Sequence, residues 1–159
     1  MSGKIVVIGS NSFSGAHCVR ALLREGARVI GISRSEEPNI AFLPYRWEVD
    51  QDSPFQFHQL DLNQQMPQVE SLLQEFKPDY VVNFAAQGMV AQSWDNPDHW
   101  YQTNVVAMSR LHESLRRLKG LTRYVHVTTP EVYGSCEGNV TEDHPFNPST
   151  PYAVSRAAC

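Results

Sequence analysis

Cysteine is scarce in this 159-residue chain: Cys18, Cys136 and Cys159 are its three. They form no CxxC pair, and an odd number cannot close a complete internal disulfide framework. Such usage fits a reducing compartment, and a cytoplasmic protein is expected. Long apolar runs are also missing. The stretch Ile5 to Ile8, close behind Met1, is far too short for a signal-peptide core or a membrane span. Lys and Arg form no stripe, and the net charge is −4, so nucleic acid is a poor partner. No repeat, low-complexity tract or metal site is expected. With 42% hydrophobic and 19% charged residues, the composition is that of an ordinary globular chain, long enough for one domain with a real core.

Short apolar runs and helical patterns alternate along the chain. Ile5-Val6-Val7-Ile8 is an unbroken β-branched run ending at Gly9, as expected of a strand buried on both faces of a parallel sheet. After a turn of small residues, Ala16, Val19, Leu22 and Leu23 recur at helical spacing up to Gly26, which has the position of a C-terminal cap. Further strands are predicted at Ala27 to Ile32, Phe55 to Leu60, Tyr80 to Phe84 and Tyr124 to Val127. Helices are predicted where Val69, Leu72, Leu73 and Phe76, and later Val105, Met108, Leu111 and Leu115, repeat. This order implies βαβ crossovers, hence an α/β, doubly wound parallel sheet with helices on both faces. The segment from Arg34 to Pro54 reads as a long, partly irregular connection, and Gly134 to Pro151 as a surface loop.

The first turn carries the clearest chemical signal. Gly9-Ser10-Asn11-Ser12-Phe13-Ser14-Gly15 follows strand one and opens the first helix with GxxGxxG spacing, Ser12 standing at the middle glycine. In a Rossmann-type turn the first glycine permits the bend, the second admits the pyrophosphate, the third packs helix on strand, and helix amides hold the anion. Gly9, Asn11, Ser12, Phe13 and Gly15 are therefore candidate cofactor contacts. Ser12 is small, and its hydroxyl is available to a phosphate, but its Cβ would resist a positive φ. Strand two ends in Gly31-Ile32-Ser33-Arg34-Ser35, with no carboxylate before Glu36. An acidic residue there suits a free ribose 2′-hydroxyl and an arginine a 2′-phosphate, so Ser33 and Arg34 favour NADP over NAD.

Later segments are more specific. Asp61-Leu62, Asn83-Phe84-Ala85-Ala86-Gln87, Thr103-Asn104-Val105, Thr128-Thr129-Pro130-Glu131-Val132-Tyr133-Gly134 and Pro151-Tyr152-Ala153-Val154-Ser155-Arg156 together resemble the extended short-chain dehydrogenase/reductases. Within them the chain is most similar to the nucleotide-sugar epimerases and 4,6-dehydratases. The resemblance implies that Asp61 and Leu62 flank the adenine and that Ala85 and Ala86 line the nicotinamide side. It also implies cofactor roles for Gln87, Asn104, Tyr152 and Arg156, and places Thr129, Glu131, Tyr152 and Arg156 in the catalytic centre.

The chemistry of those roles follows from general principles. Oxidising a sugar hydroxyl by hydride transfer needs a base, and a tyrosine serves only if positive charge lowers its pKa from about 10. Arg156 is four residues on, and in the helix that the resemblance implies for this segment the two would share a face. The family usually has lysine there, and arginine keeps the charge but not the compact ammonium. In a dehydratase Glu131 would take the C5 proton, but Pro130, where the family often has an acid for the departing 6-hydroxyl, can donate nothing. A 4-epimerase or a 4-keto-sugar reductase therefore stays open, as does a non-catalytic dinucleotide sensor, and Glu131 is equally readable as a loop carboxylate. The resemblance further implies that related proteins continue past Cys159 with the last strands and a sugar-nucleotide domain. The 159 residues are thus expected to be a partial Rossmann domain that binds cofactor without turning over sugar. The family often forms homodimers, and Met108, Leu111, Leu115 and Leu118 suit either that contact or the core.

Overall fold

A computed structural model of the chain describes residues 3–47 and 54–159. In chain order the elements are β1 (Lys4–Ile8), α1 (Phe13–Arg24), β2 (Arg28–Ser33), β3 (Phe55–Gln59), α2 (Met66–Phe76), β4 (Tyr80–Asn83), α3 (Pro97–Tyr101), α4 (Met108–Arg117), β5 (Arg123–His126) and α5 (Pro151–Ala157). They fall into two compact units, one of Met1–Ala85 with Leu111–Val127, the other of Ala86–Arg110 with Thr128–Cys159.

The first unit contains a five-stranded sheet of order β3-β2-β1-β4-β5, each adjacent pair parallel. Parallel neighbours need crossover connections, and α1 and α2 supply them between β1 and β2 and between β3 and β4. The order reverses beside β1, where Ile5 faces Val29 on one side and Tyr80 on the other. The expected doubly wound architecture is therefore present. Val6, Val7 and Ile8 are at most 1% exposed, which is why this strand is apolar on both faces. One side of the core gathers Ile5, Val7, Ala16, Val19, Ala27 and Val29 with Leu43, Tyr45 and Phe55. Each buried Val, Ile, Leu or Phe side chain among them contributes roughly 1.5–3 kcal/mol by leaving water.

The end of α1 follows its predicted glycine signal, and the end of α2 uses the same conformation without a glycine. Gly26 adopts a φ of +77 after α1, and Lys77 takes the same left-handed region after α2 before Pro78. Of the Arg34 to Pro54 connection, the described part holds two short 3₁₀ turns, Ile40–Phe42 and Pro44–Arg46; residues 48–53 lie outside the described residues. The helix expected around Val105 is interrupted. Between α3 and α4 the residues Gln102–Ala107 form a π-helical turn with Asn104 fully buried in it. Met108, Leu111, Leu115 and Leu118 are all buried, so that stripe belongs to the core. Residues 135–146 are exposed, as expected of a surface loop. Among the described residues no helix is long and apolar enough to cross a membrane.

Candidate functional site

In the first unit the glycine-rich turn joins β1 to α1. Gly9 has a φ of +80, and a Cβ there would stand 2.6 Å from the Ala85 amide nitrogen. A side chain at Gly15 would run into the Gly9 carbonyl. Both glycines are thus required by geometry, one by its backbone and both by close approach. Ser12 shows why a serine is tolerated between them. Its φ is −70, so no left-handed strain arises, and it caps α1 by accepting from the Gly15 amide while its hydroxyl donates to the Gly9 carbonyl at 2.7 Å. The hydroxyl is engaged in the turn itself. The amides of Phe13 and Ser14, in the first turn of α1, have no carbonyl partner within the helix. Phe13 leaves its ring in solvent, 83% exposed. The turn therefore fits a pyrophosphate held by backbone amides at a helix N-terminus.

Asn11 ties this turn to the loop that follows β2. Its amide donates to Ser33 Oγ at 3.0 Å, and its Nδ2 donates to the carbonyls of Ser35 and Glu36 at 3.1 and 2.9 Å. Ser33 is buried, with its hydroxyl also 3.3 Å from that of Ser10. Arg34 and Glu36 are exposed. The Tyr45 hydroxyl has one proton to give and two acceptors within reach, Glu37 Oε1 at 2.8 Å and Asn11 Oδ1 at 3.1 Å. Arg46 grips the same carboxylate with Nε at 3.0 Å and Nη2 at 2.8 Å. Burial, reinforced by the Glu37 carboxylate, raises the Tyr45 pKa against the opposing Arg46 charge, so its hydroxyl stays a donor.

Beyond β3, Asp61 Oδ1 accepts from the Asn63 amide at 2.8 Å and the Asp61 amide donates to Gln65 Oε1, an arrangement that leaves Leu62 buried. At the end of β4, Asn83 is fully buried. Its Oδ1 accepts from the Ala85 amide at 2.9 Å, while its Nδ2 lies 3.2 Å from the Tyr124 hydroxyl and 3.3 Å from His126 Nδ1. A buried amide of this kind fixes where Ala85 sits.

In the second unit Asn104 is the organising side chain. Its Oδ1 accepts from the Gln87 amide at 2.8 Å, and its Nδ2 donates to the Gln87 carbonyl at 3.0 Å and to Ser155 Oγ at 2.9 Å. The π turn that carries it is a rare backbone form that recurs at functional sites. Ser155 in turn donates to the Tyr152 carbonyl at 2.7 Å. Helix α5 starts at Pro151, capped by Thr150, and Ser93 Oγ accepts from the Tyr152 amide at 3.1 Å. Tyr152 is half-buried and Arg156, one turn on, is 4% exposed. The two share a face of α5. Thr128 Oγ1 donates to the Arg156 carbonyl at 3.4 Å. Thr129 caps the 3₁₀ turn Pro130–Tyr133, accepting from the Glu131 amide, and that turn packs against α5. Pro130 holds the first position of the turn, where proline loses no hydrogen bond.

The expected residues thus gather in two groups. Gly9, Asn11, Ser12, Phe13, Gly15, Ser33, Arg34, Asp61, Leu62 and Ala85 belong to the first unit, and Ala86, Gln87, Asn104, Thr129, Glu131, Tyr152 and Arg156 to the second. Ser93, Ser155, Glu37, Tyr45 and Arg46 were not foreseen. Glu37, Tyr45 and Arg46 meet across eight or nine residues of irregular connection that has no periodicity to place them, while Ser93 and Ser155 meet partners 59 and 51 positions away.

The family model for GDP-mannose 4,6 dehydratase matches residues 6–159. The chain belongs to this family. A probable dTDP-glucose 4,6-dehydratase of Sinorhizobium fredii is 31% identical over 166 residues, covering 98% of this chain and 46% of that protein. A UDP-glucose 4-epimerase of Mycolicibacterium smegmatis is 32% identical over 157 residues, covering 98% and 48%. Among solved structures, a dTDP-glucose 4,6-dehydratase from Streptomyces venezuelae with NAD bound superposes with a TM-score of 0.84 at 32% identity, covering 98% of this chain and 48% of that one. The chain spans just under half the length of these relatives of the GDP-mannose 4,6 dehydratase family. The doubly wound sheet is accordingly the Rossmann-type fold of its epimerase and dehydratase neighbours.

Proposed function

We propose that the protein binds a nicotinamide dinucleotide and serves an enzyme that oxidises a nucleotide-activated sugar transiently at C4. The observation that carries this reading is the Gly9 to Gly15 turn beside the end of β4, where the strand order reverses; open α/β sheets bind ligands there. Membership of a family whose relatives are named as dehydratases and epimerases supports the sugar chemistry. The dinucleotide, when bound, supplies a hydride acceptor. The turn's amides hold its pyrophosphate, Asp61 and Leu62 flank its adenine, and Ala85, Ala86, Gln87 and Asn104 support its nicotinamide end. Tyr152 removes the 4-hydroxyl proton, Arg156 stabilises the phenolate, Thr129 orients the substrate, and Glu131 takes the C5 proton in a dehydratase. Arg34 favours a 2′-phosphate and hence NADP. The three free cysteines support a cytoplasmic setting.

Pro130 favours a second reading. A dehydratase must protonate the departing 6-hydroxyl, and proline offers no donor where the family often has an acid. A 4-epimerase or 4-keto-sugar reductase needs no such acid. The chain spans about half the length of its relatives, so cofactor binding is the part of the reading its own residues carry, and we propose that the 159 residues alone turn over no sugar. Titration with NADPH and NADH, followed by cofactor fluorescence with circular dichroism as a folding control, tests it. Tighter NADPH binding is expected. Tighter NADH binding would remove the Arg34 assignment, and a folded chain that binds neither would overturn the reading.

A further inference from the structure

The loop after β2 contains two carboxylates and one arginine within four residues, Arg34-Ser35-Glu36-Glu37. Glu37 does not act as a free anion there. Arg46 binds it through two nitrogens and the Tyr45 hydroxyl through a third bond, with both side chains of the ion pair less than half exposed. The partners are themselves held. The Tyr45 ring is 1% exposed and packs on Phe55 at 4.7 Å between centroids, and the Arg46 guanidinium lies 5.1 Å over the Phe55 ring. Asn11 completes the set, with Oδ1 within reach of the Tyr45 hydroxyl and Nδ2 donating to the carbonyls of Ser35 and Glu36. Four side chains therefore join the phosphate-binding turn, the loop after β2 and the second 3₁₀ turn.

We infer that Asn11, Glu37, Tyr45 and Arg46 form a clamp that selects between phosphorylated and unphosphorylated dinucleotide. It is built from the side-chain ties of Asn11 and Tyr45 and from the neutralisation of Glu37 by Arg46. The inference rests on the proposed cofactor binding. These are positioning residues with two separable effects. Tyr45 and Asn11 hold the backbone of residues 35 and 36 in one shape, and Arg46 cancels a negative charge that would repel a ribose 2′-phosphate far more than a 2′-hydroxyl. With the pair intact, the loop's remaining charges are Arg34 and Glu36, which balance. Without Arg46 the loop turns net negative.

The test is the ratio of the dissociation constants for NADPH and NADH in four versions of the protein. In Arg46→Met the ratio should move toward NADH by about tenfold, a 1.4 kcal/mol change, and the shift should shrink at high salt. In Glu37→Gln combined with Arg46→Met, where neither charge remains, the ratio should return most of the way to wild type, which a merely structural ion pair would not do. Tyr45→Phe keeps the buried ring, and should weaken NADPH more than NADH by roughly threefold to tenfold through the loss of the hydroxyl that bridges Asn11 and Glu37. Unchanged ratios in Arg46→Met and Tyr45→Phe, with both dinucleotides still bound, would overturn the clamp alone. If Arg46→Met fails to fold by circular dichroism, Tyr45→Phe decides the question. A wild-type protein that binds neither dinucleotide would overturn the proposed function and the clamp with it.

Discussion

At the residue scale, Gly9 and Ser12 occupy the same turn for opposite reasons. Gly9 needs both a positive φ and the absence of a Cβ, because backbone atoms of Phe84 and Ala85 stand within 3 Å of where one would be. Gly9→Ala should cost about 2 kcal/mol or more, seen as a lower urea midpoint, and should remove dinucleotide binding. Ser12 needs neither, since its backbone is extended and its hydroxyl caps α1. Ser12→Ala should cost about 1 kcal/mol and Ser12→Gly only a few tenths, so restoring the middle glycine should lower stability slightly, where a missing glycine alone would predict a gain. The turn was legible because GxxGxxG spacing is local. The role of the Ser12 hydroxyl was not, since it depends on which way one side chain faces.

At the element scale, the π turn and α4 make separate predictions. Asn104 supplies three hydrogen bonds from a fully buried position, and Asn104→Ala leaves the Gln87 amide and carbonyl without it. A loss of about 2–4 kcal/mol is expected, with faster hydrogen exchange at the Gln87 amide. Thr103-Asn104-Val105 stood out in the sequence, but apolar periodicity shows only a helix and cannot register one extra residue in a turn. On α4, burial lowers the pKa of His112 below its ordinary 6.5. Its ring meets those of Tyr124 and His126 edge-on at 5.2 and 6.4 Å. The unfolded chain then binds the proton more readily than the folded one, so stability should fall as pH drops through and below 6.5. The slope cannot exceed about 1.4 kcal/mol per pH unit. Glu113 works in a lower window: Arg116 and Arg117 hold its pKa at about 2 against 4.5, so its stabilisation disappears only as pH falls below 4.5. A melting series from pH 7 to 5 should therefore flatten in His112→Gln and stay unchanged in Glu113→Gln.

At the scale of the whole molecule, a cofactor that binds the folded chain alone must raise its stability. NADPH at about a hundredfold over its dissociation constant should add about 2.7 kcal/mol, measurable as a rise in Tm that Gly9→Ala abolishes. Much of this protein was written in the sequence. The five strands, the longer helices, the parallel α/β class and the glycine-rich turn follow from spacings of a few residues, because 2.0- and 3.6-residue periods and backbone sterics act locally, whereas the helix that carries Tyr152 and Arg156 was expected only from the family resemblance. Only the tertiary structure decided the rest. Tyr45 meets Asn11 across 34 positions, Asn104 meets Ser155 across 51, and Ser93 receives the Tyr152 amide across 59. Such bonds form because buried polar groups must find partners, and which partner each finds depends on how the chain packs, a fact no local pattern contains.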